Sequence, residues 1–148
     1  MKIAAGSDHA GFRLKSELVR YLQESEYEVL DMGTDSCESV DYPDFAEKVC
    51  DAVVGGQAEM GLLICGTGIG MAMAANKVDG IRAASCCNEY MAEMSRSHNN
   101  ANVLTLGARI LTPEIAERIL DIFLVTEFEG GRHERRVDKI MKLGEKRR

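Results

Sequence analysis

Short apolar runs alternate along the chain with segments in which apolar residues recur every three or four positions. A run of the first kind predicts a strand, and the longer periodicity predicts a helix. The apolar runs lie at 2–7, 27–31, 60–65, 80–86 and 102–106. The run at 60–65 is apolar throughout, which is typical of a parallel strand covered on both faces.

The segments between these runs carry helix signals at their ends. Pro43 is suited to the first turn of the second helix, and Gly55-Gly56 to its end, since glycine readily adopts the left-handed conformation there. Asn88 is a typical N-cap for the fourth helix. A last helix is predicted at about 131–146. Its residues expected to face inward are Val137, Ile140 and Met141.

Five strand–helix units in succession imply a parallel sheet with helices on both faces. Right-handed crossovers should join its strands. The predicted fold is therefore an α/β fold, a Rossmann-like three-layer α/β/α sandwich with a five-stranded parallel sheet. The 148 residues are expected to form one domain, 1–148. The order of the strands does not follow from the pattern.

Composition excludes several classes of protein. Apolar residues make up 45% of the chain, too many for a disordered protein, and their stretches are too short to span a bilayer. The first segment turns polar at residues 7–9, too early for a secretory signal, so a cytoplasmic protein without a membrane partner is expected. Five cysteines, an odd number, argue against a disulfide framework. The Cys and His spacings do not fit a zinc site, so no metal is expected.

Charge is distributed unevenly along the chain. The net charge is −6, yet residues 132–148 hold 8 basic and 3 acidic side chains. Such a basic tail is consistent with a solvated helix face, an anion site or a nucleic-acid contact. The acidic character of the rest of the chain disfavours nucleic acid as the main partner.

Side chains with chemical potential follow three of the predicted strands. Asp8 and His9 follow the first, Cys65 ends the third, and Arg109 follows the fifth. Ligands of doubly wound sheets bind beyond the carboxyl ends of the strands. These groups are therefore expected to lie at one edge of the sheet, together with the glycine loop at 66–70.

The glycine loop, Gly66-Thr67-Gly68-Ile69-Gly70, has more glycine than a tight turn needs. It lacks the lysine of a Walker loop, and it follows the third strand rather than the first, unlike a dinucleotide fingerprint. It favours an anion cradle built from backbone N–H groups, with a plain strand-to-helix turn as the alternative. Cys65 precedes a helix start, which favours its thiolate as a base or nucleophile; a buried core cysteine is the alternative.

Two further groups of residues are candidates by position. His98-Asn99 follows the fourth helix, where a histidine is commonly a surface or capping group. Arg132 and Arg136 lie one turn apart on the last helix, and the planar guanidinium group matches phosphate geometry. A pair of solvated charges is the alternative for these arginines.

Seven segments spread over nearly the whole chain stand out together, in the order 6–11, 38–44, 65–70, 74–77, 80–83, 97–102 and 129–136. Together they resemble the ribose-5-phosphate isomerase B family, within the wider group of sugar-phosphate isomerases that includes galactose-6-phosphate isomerase. The resemblance implies an aldose–ketose isomerase without metal or cofactor. Such an enzyme interconverts D-ribose 5-phosphate and D-ribulose 5-phosphate through an enediolate, in the pentose phosphate pathway of carbohydrate metabolism.

By matching motifs, the resemblance implies a role for each candidate residue. Cys65 would move a proton between two sugar carbons, and His98 would open the furanose ring. Thr67 and the loop backbone would hold the enediolate oxygens, while Asp8 and Asn99 assist at the sugar oxygens. The loop residues concerned are Gly66, Thr67, Gly68, Ile69 and Gly70. The implied phosphate and sugar-binding set is His9, Arg109, Arg132 and Arg136.

The resemblance also implies a homodimer or tetramer with the site between subunits. Asn100 departs from the family pattern, since relatives commonly carry Asp there. The uncharged Asn would weaken a charge contact behind His98. The presence of Cys65 favours a ribose or allose phosphate enzyme over a galactose phosphate one. An isomerase of a hexose phosphate (allose 6-phosphate or galactose 6-phosphate) and a non-catalytic phosphate- or nucleotide-binding module are the alternatives.

Overall fold

A computed structural model describes residues 1–145 of the protein. Position 146, the last of the predicted terminal helix, and the final basic residues of the tail lie outside this range. The elements are β1 (Lys2–Ser7), α1 (Phe12–Glu24), β2 (Glu28–Asp31), α2 (Tyr42–Val54), β3 (Met60–Cys65), α3 (Ile69–Ala75), β4 (Ala83–Ser85), α4 (Glu89–Ser97), β5 (Val103–Gly107), α5 (Pro113–Val125) and α6 (Arg132–Glu145).

The strands form one five-stranded parallel sheet in the order β2-β1-β3-β5-β4. The chain moves from β1 outwards to β2, but from β3 it moves in the opposite direction, first to the edge strand β4 and then back to β5. The order of the strands therefore reverses between β1 and β3, and the carboxyl ends at such a point flank a crevice suited to ligands. Asp8 follows β1 and Cys65 ends β3, so both lie at this position.

Apolar side chains fill the space on both faces of the sheet. Leu62 packs in the core cluster with α1, α4 and α5, whereas Leu63 packs in the cluster with α2 and α3. Because successive strand residues point to opposite faces, an unbroken apolar run produces a strand buried on both sides. The three-layer α/β/α prediction is confirmed. Within the described residues, no helix is both long and apolar enough to cross a membrane.

Some element boundaries differ from those predicted. The fourth strand spans only Ala83–Ser85 rather than 80–86, because the Asn102 side chain accepts the N–H of Arg82 and donates to the carbonyl of Gly80. The carbonyl of Arg82 still accepts the N–H groups of Asn102 and Val103, but the N–H of Arg82 and the carbonyl of Gly80 bond to the Asn102 side chain instead of to a neighbouring strand. Asn88 does cap α4, accepting the N–H of Met91 at 2.8 Å.

The last helix buries a different set of residues from the one expected. Val137 is buried as predicted and Met141 is half-buried, but Ile140 is 48% exposed, so its inward prediction is wrong for the single chain. The other buried side chain of this helix is His133, one turn before Val137.

Candidate active site

The first group of candidate residues lies where β1 and β3 end. The backbone N–H of Asp8 donates to the carbonyl of Ile64 at 3.2 Å, which ties the two strand ends together. The buried carboxylate of Asp8 accepts the N–H of Gly11 at 3.0 Å. His9 accepts the N–H of Val40 on Nδ1 at 3.2 Å, so the polar loop before α2 lies against this edge.

A buried lysine holds the neighbouring loop in place. Lys15 is 1% exposed, and its ammonium group contacts Asp31 Oδ1 at 2.5 Å and the Thr34 carbonyl at 2.7 Å. The N–H of Thr34 in turn donates to the carbonyl of Ser7, just before Asp8. Lys15 was not among the predicted site residues. Its spacing from Leu18 and Leu22 on the apolar stripe of α1 was the signal that could have shown it inward.

The glycine loop lies close against β5. Gly68 has a φ of +82°, and a Cβ atom there would be 3.0 Å from the Leu106 carbonyl carbon, so both conformation and space require glycine. The Thr105 hydroxyl donates to the carbonyl of Gly68 at 2.8 Å. This packing of Gly68 against β5 places the peptide groups that follow Gly68 at the carboxyl end of β3.

Cys65 is buried, and its sulfur accepts the N–H of Gly68 at 3.1 Å. A backbone N–H that donates to an anion stabilises its negative charge, so this contact suits a thiolate. The N–H of Ile69 is also engaged inside the loop, on the hydroxyl of exposed Thr67 at 3.2 Å. The Gly68 and Ile69 donors of the predicted cradle are thus aimed at the loop's own side chains.

Two side chains border the loop. Arg109 is exposed, donates its N–H to the carbonyl of Gly66 and places Nη1 2.9 Å from where a Cβ of Gly66 would be. The ring of Tyr42 lies against Gly70, where a Cβ would be 2.8 Å from Cζ. Tyr42 was missed as a site residue, although it lies in the segment 38–44 that carried part of the resemblance.

The second group of candidates lies at the opposite side of the sheet, near the amino ends of β3 and β5. His98 follows the end of α4, and Asn102, four residues on, accepts the N–H of Gly61 at the start of β3. Cys65 lies four residues beyond Gly61 on β3, so these two residues are about 13 Å apart at the strand rise of ~3.3 Å per residue. The structure therefore does not bring His98, exposed Asn99, Arg132 or Arg136 to Cys65 within one chain.

His98 belongs to a compact cluster with two residues that the sequence did not single out. Its ring stacks on that of His133 with centroids 4.1 Å apart. Glu129 Oε2 lies 3.8 Å from His98 Nε2 and 3.3 Å from His133 Nε2. Burial, and then the proximity of His98 and Arg132, lower the pKa of His133, while Glu129 opposes the shift. These three residues, called the histidine cluster below, have a ligand-atom spacing that a metal ion could use.

Asn100, the departure from the family pattern, contacts a buried arginine rather than His98. Its Oδ1 accepts from Arg96 Nη1 at 3.1 Å, and its backbone φ is +47°. Arg96 also donates to the carbonyls of Ala101 and Thr126. The Asn100 side chain thus contacts Arg96, two residues before His98, and the weakening of a charge contact behind His98 stays a prediction.

Two cavities lie beside the two groups of candidates. A cavity of about 510 Å³ runs between α6 and the segment 78–84, with Asn99 and Arg82 in its wall. A cavity of about 270 Å³ has Thr67 in its wall, beside Cys86 and Cys87. Neither of these cavities is lined by both Thr67 and Asn99, as the separation of the two edges requires.

Comparison with known proteins gives one consistent result. Residues 3–140 match the family model described as Ribose/Galactose Isomerase. Ribose-5-phosphate isomerase B of Escherichia coli is 49% identical over 146 residues, covering 99% of this chain and 98% of that one. The structure of Clostridium thermocellum ribose-5-phosphate isomerase B has a TM-score of 0.99 and 53% identity, with all of both chains covered.

A second solved structure, ribose-5-phosphate isomerase B of Mycoplasma genitalium with bound ribulose-5-phosphate, has a TM-score of 0.92 and 44% identity. It covers 97% of this chain and 96% of that one. The sequence match extends over nearly every element of the fold, including both groups of candidate residues. The chain belongs to the ribose/galactose isomerase family.

Proposed function

We propose that this chain is an aldose–ketose isomerase that interconverts D-ribose 5-phosphate and D-ribulose 5-phosphate. The observation that carries the proposal is Cys65, whose sulfur accepts a backbone N–H in the glycine loop at the end of the central strand. The relatives named as ribose-5-phosphate isomerase B, at 49% and 53% identity over essentially the whole chain, support the same reaction. They favour it over the hexose-phosphate and non-catalytic alternatives.

The reaction begins with opening of the sugar ring. His98 donates a proton to the ring oxygen as its bond to C1 breaks, and the C1 hydroxyl loses its proton to water, from which His98 is reprotonated. Asp8 and Asn99 hold the sugar hydroxyls. A positioned acid or base of this kind contributes about 10²–10⁴-fold to the rate. The open chain then presents its aldehyde and the adjacent carbon to Cys65.

Proton transfer between the two carbons follows. The Cys65 thiolate removes the proton from C2 as the aldehyde oxygen becomes negative. The hydroxyl proton of O2 then passes to that oxygen, and the resulting thiol returns its proton to C1 as the carbonyl forms at C2. The Thr67 hydroxyl and the backbone of residues 66–70 stabilise the enediolate, apart from the N–H groups of Gly68 and Ile69, which are bonded to Cys65 and Thr67. Donors fixed in this way gain strength only as the charge develops, and removing one typically costs about 3–4 kcal/mol of transition-state stabilisation.

Binding of the phosphate positions the reacting carbons. His9 and Arg109 lie on the Cys65 edge, and Arg132 and Arg136 on α6. Guanidinium groups bind phosphate in a bidentate manner, and binding energy far from the reacting carbons orients them. This reaction needs no metal ion or cofactor.

Each site requires residues from two copies of the chain. The ring oxygen and C2 of the sugar are two bonds apart, so the groups that act on them must lie within a few ångströms of each other. His98 and Cys65 lie at opposite edges of one sheet. We therefore propose a homodimer, or a tetramer of two such dimers, in which Cys65 of one copy meets His98 of the other. Residues 1–148 act as one domain, in which the last helix carries the phosphate-binding arginines Arg132 and Arg136. The enzyme works in the cytoplasm.

The proposal is tested by following ketose formation from ribose 5-phosphate with EDTA present. Cys65→Ala should lower kcat by about 10²-fold or more. Cys50→Ala is the matched control, because Cys50 is also buried but lies on α2 away from the loop, and it should retain turnover. Turnover by Cys65→Ala equal to that of the control would contradict the mechanism. Parallel assays with allose 6-phosphate measure the sugar preference.

A further inference from the structure

We propose that the histidine cluster, His98, Glu129 and His133, is a binding site for a divalent transition-metal ion such as Zn²⁺. Two imidazole nitrogens and one carboxylate oxygen form a ligand set that zinc uses in open sites, where the fourth position is left to water or another ligand. The three ligand atoms lie within 4.8 Å of one another. The cluster would hold an inhibitory ion rather than a cofactor.

The distances already approach those of a tetrahedral site. Metal–ligand bonds of about 2.05 Å place two ligands of a tetrahedral ion about 3.3 Å apart. His133 Nε2 and Glu129 Oε2 are separated by 3.3 Å, and His98 Nε2 is 3.8 Å from the same oxygen. His98 must therefore approach by about half an ångström and turn out of its parallel stack. Its side chain is 38% exposed, which leaves room for that movement.

The backbone fixes the three side chains relative to one another. The N–H of Glu129 donates to the carbonyl of Ser97, next to His98, at 3.0 Å. Gly130 and Gly131 both have positive φ and turn the chain into α6, where the N–H of His133 donates to the carbonyl of Gly130. Because His133 is also buried, little side-chain entropy is lost when it coordinates an ion.

Local charge determines which ions are expected to bind. Arg132 and Arg136 flank His133 and repel a cation, whereas the carboxylate of Glu129 attracts one. Ions that depend on oxygen ligands and charge, such as Mg²⁺ and Ca²⁺, are therefore expected to bind poorly. Ions with high affinity for imidazole, such as Zn²⁺, Ni²⁺ and Co²⁺, are expected to bind.

Occupancy has a consequence that rests on the proposed function. An ion coordinated by His98 takes the lone pair through which that side chain carries its proton, so ring opening stops. The isomerase should then be inhibited by Zn²⁺ and restored by EDTA, although its reaction uses no metal.

Binding is tested by titrating Co²⁺ into the EDTA-treated and dialysed full chain, by calorimetry and visible absorption. The titration uses a Cys65→Ala background, because the proposed dimer places the Cys65 thiol of the other copy near His98. One ion per chain is expected there, without a sulfur-to-metal charge-transfer band, which would reveal cysteine ligands. Glu129→Gln and His133→Gln should each weaken binding at least tenfold, while Glu127→Gln, an exposed neighbour, should not. Glu129 is itself 58% exposed, so its variant keeps the test valid if His133→Gln misfolds. Unchanged affinity in Glu129→Gln, or a charge-transfer band, would overturn the site.

Inhibition is measured separately with Zn²⁺ during ribose 5-phosphate turnover. We expect inhibition in the unmodified chain and at least tenfold weaker inhibition in Glu129→Gln. Metal binding that depends on Glu129 but leaves turnover unaffected would establish the site and contradict the role of His98. The failure of one proposal is therefore distinguishable from the failure of the other.

Discussion

Gly68→Ala tests whether the glycine loop requires a bare backbone at its centre. Gly68 combines a φ of +82° with close packing, since an added Cβ would lie 3.0–3.2 Å from three backbone atoms of Leu106. Gly56, after α2, provides a matched control. Its φ of +77° is nearly the same, but no atom lies within 4 Å of the position its Cβ would take.

The two substitutions differ in one physical respect. Both force alanine into the left-handed region, which costs about 1–2 kcal/mol. Only Gly68→Ala also presses a methyl group into the backbone of β5, and overpacking of this kind costs about 1–3 kcal/mol more. We therefore expect a loss of about 1–2 kcal/mol of unfolding free energy for Gly56→Ala and about 2–5 kcal/mol for Gly68→Ala.

Urea unfolding of both variants at one fixed protein concentration measures the difference. Gly68→Ala should also lower kcat, because its N–H would move away from Cys65, whereas Gly56→Ala should not. Equal losses of stability in the two variants would refute the argument that close packing against Leu106, rather than φ alone, fixes this glycine.

Two further predictions concern groups buried away from the reacting atoms. Lys15→Met should lower the unfolding free energy by about 1–3 kcal/mol, because the Thr34 carbonyl loses its buried donor. Lys139→Met, at an exposed position, should change it by less than about 0.5 kcal/mol in the same urea titration. Similar losses in the two variants would contradict the role of Lys15 in holding the loop. Burial raises the pKa of Cys50 from 9.0 to about 12, so the stability it contributes is complete below pH 9 and lost as pH rises towards 12. Urea unfolding at pH 8 and pH 10.5 should show a smaller decline in Cys50→Ala than in the unmodified chain, and equal declines would count against this assignment.

The sequence predicted those parts of the fold that depend on local pattern. The apolar run at 60–65 identified the central strand because neighbours such as Leu62 and Leu63 must both be buried, on opposite faces. The local pattern could not predict that residues 80–82 form hydrogen bonds with the Asn102 side chain instead of pairing as a strand. Asn102 lies 20 residues beyond Arg82 along the chain. The order of the strands likewise depends on contacts that no local pattern encodes.

The candidate site was predictable to the extent that topology places residues together. Ligands of doubly wound sheets bind beyond the carboxyl ends of the strands, and this rule correctly predicted that Asp8, Cys65 and Arg109 lie at those ends. The same rule separates His98 from them, because α4 runs back to the amino ends of the strands. His133 was missed because histidine is counted as polar. Its position four residues before Val137, on the buried stripe of α6, was the available signal.

The central claim, a site built from two copies of the chain, is tested most directly by complementation. Cys65→Ser and His98→Asn chains should each be inactive alone. When they are mixed under conditions that exchange subunits, half of the dimers are mixed, and each mixed dimer holds one intact site. The account predicts recovery of about a quarter of the unmodified activity. No recovery, with subunit exchange verified by mass spectrometry, would contradict it.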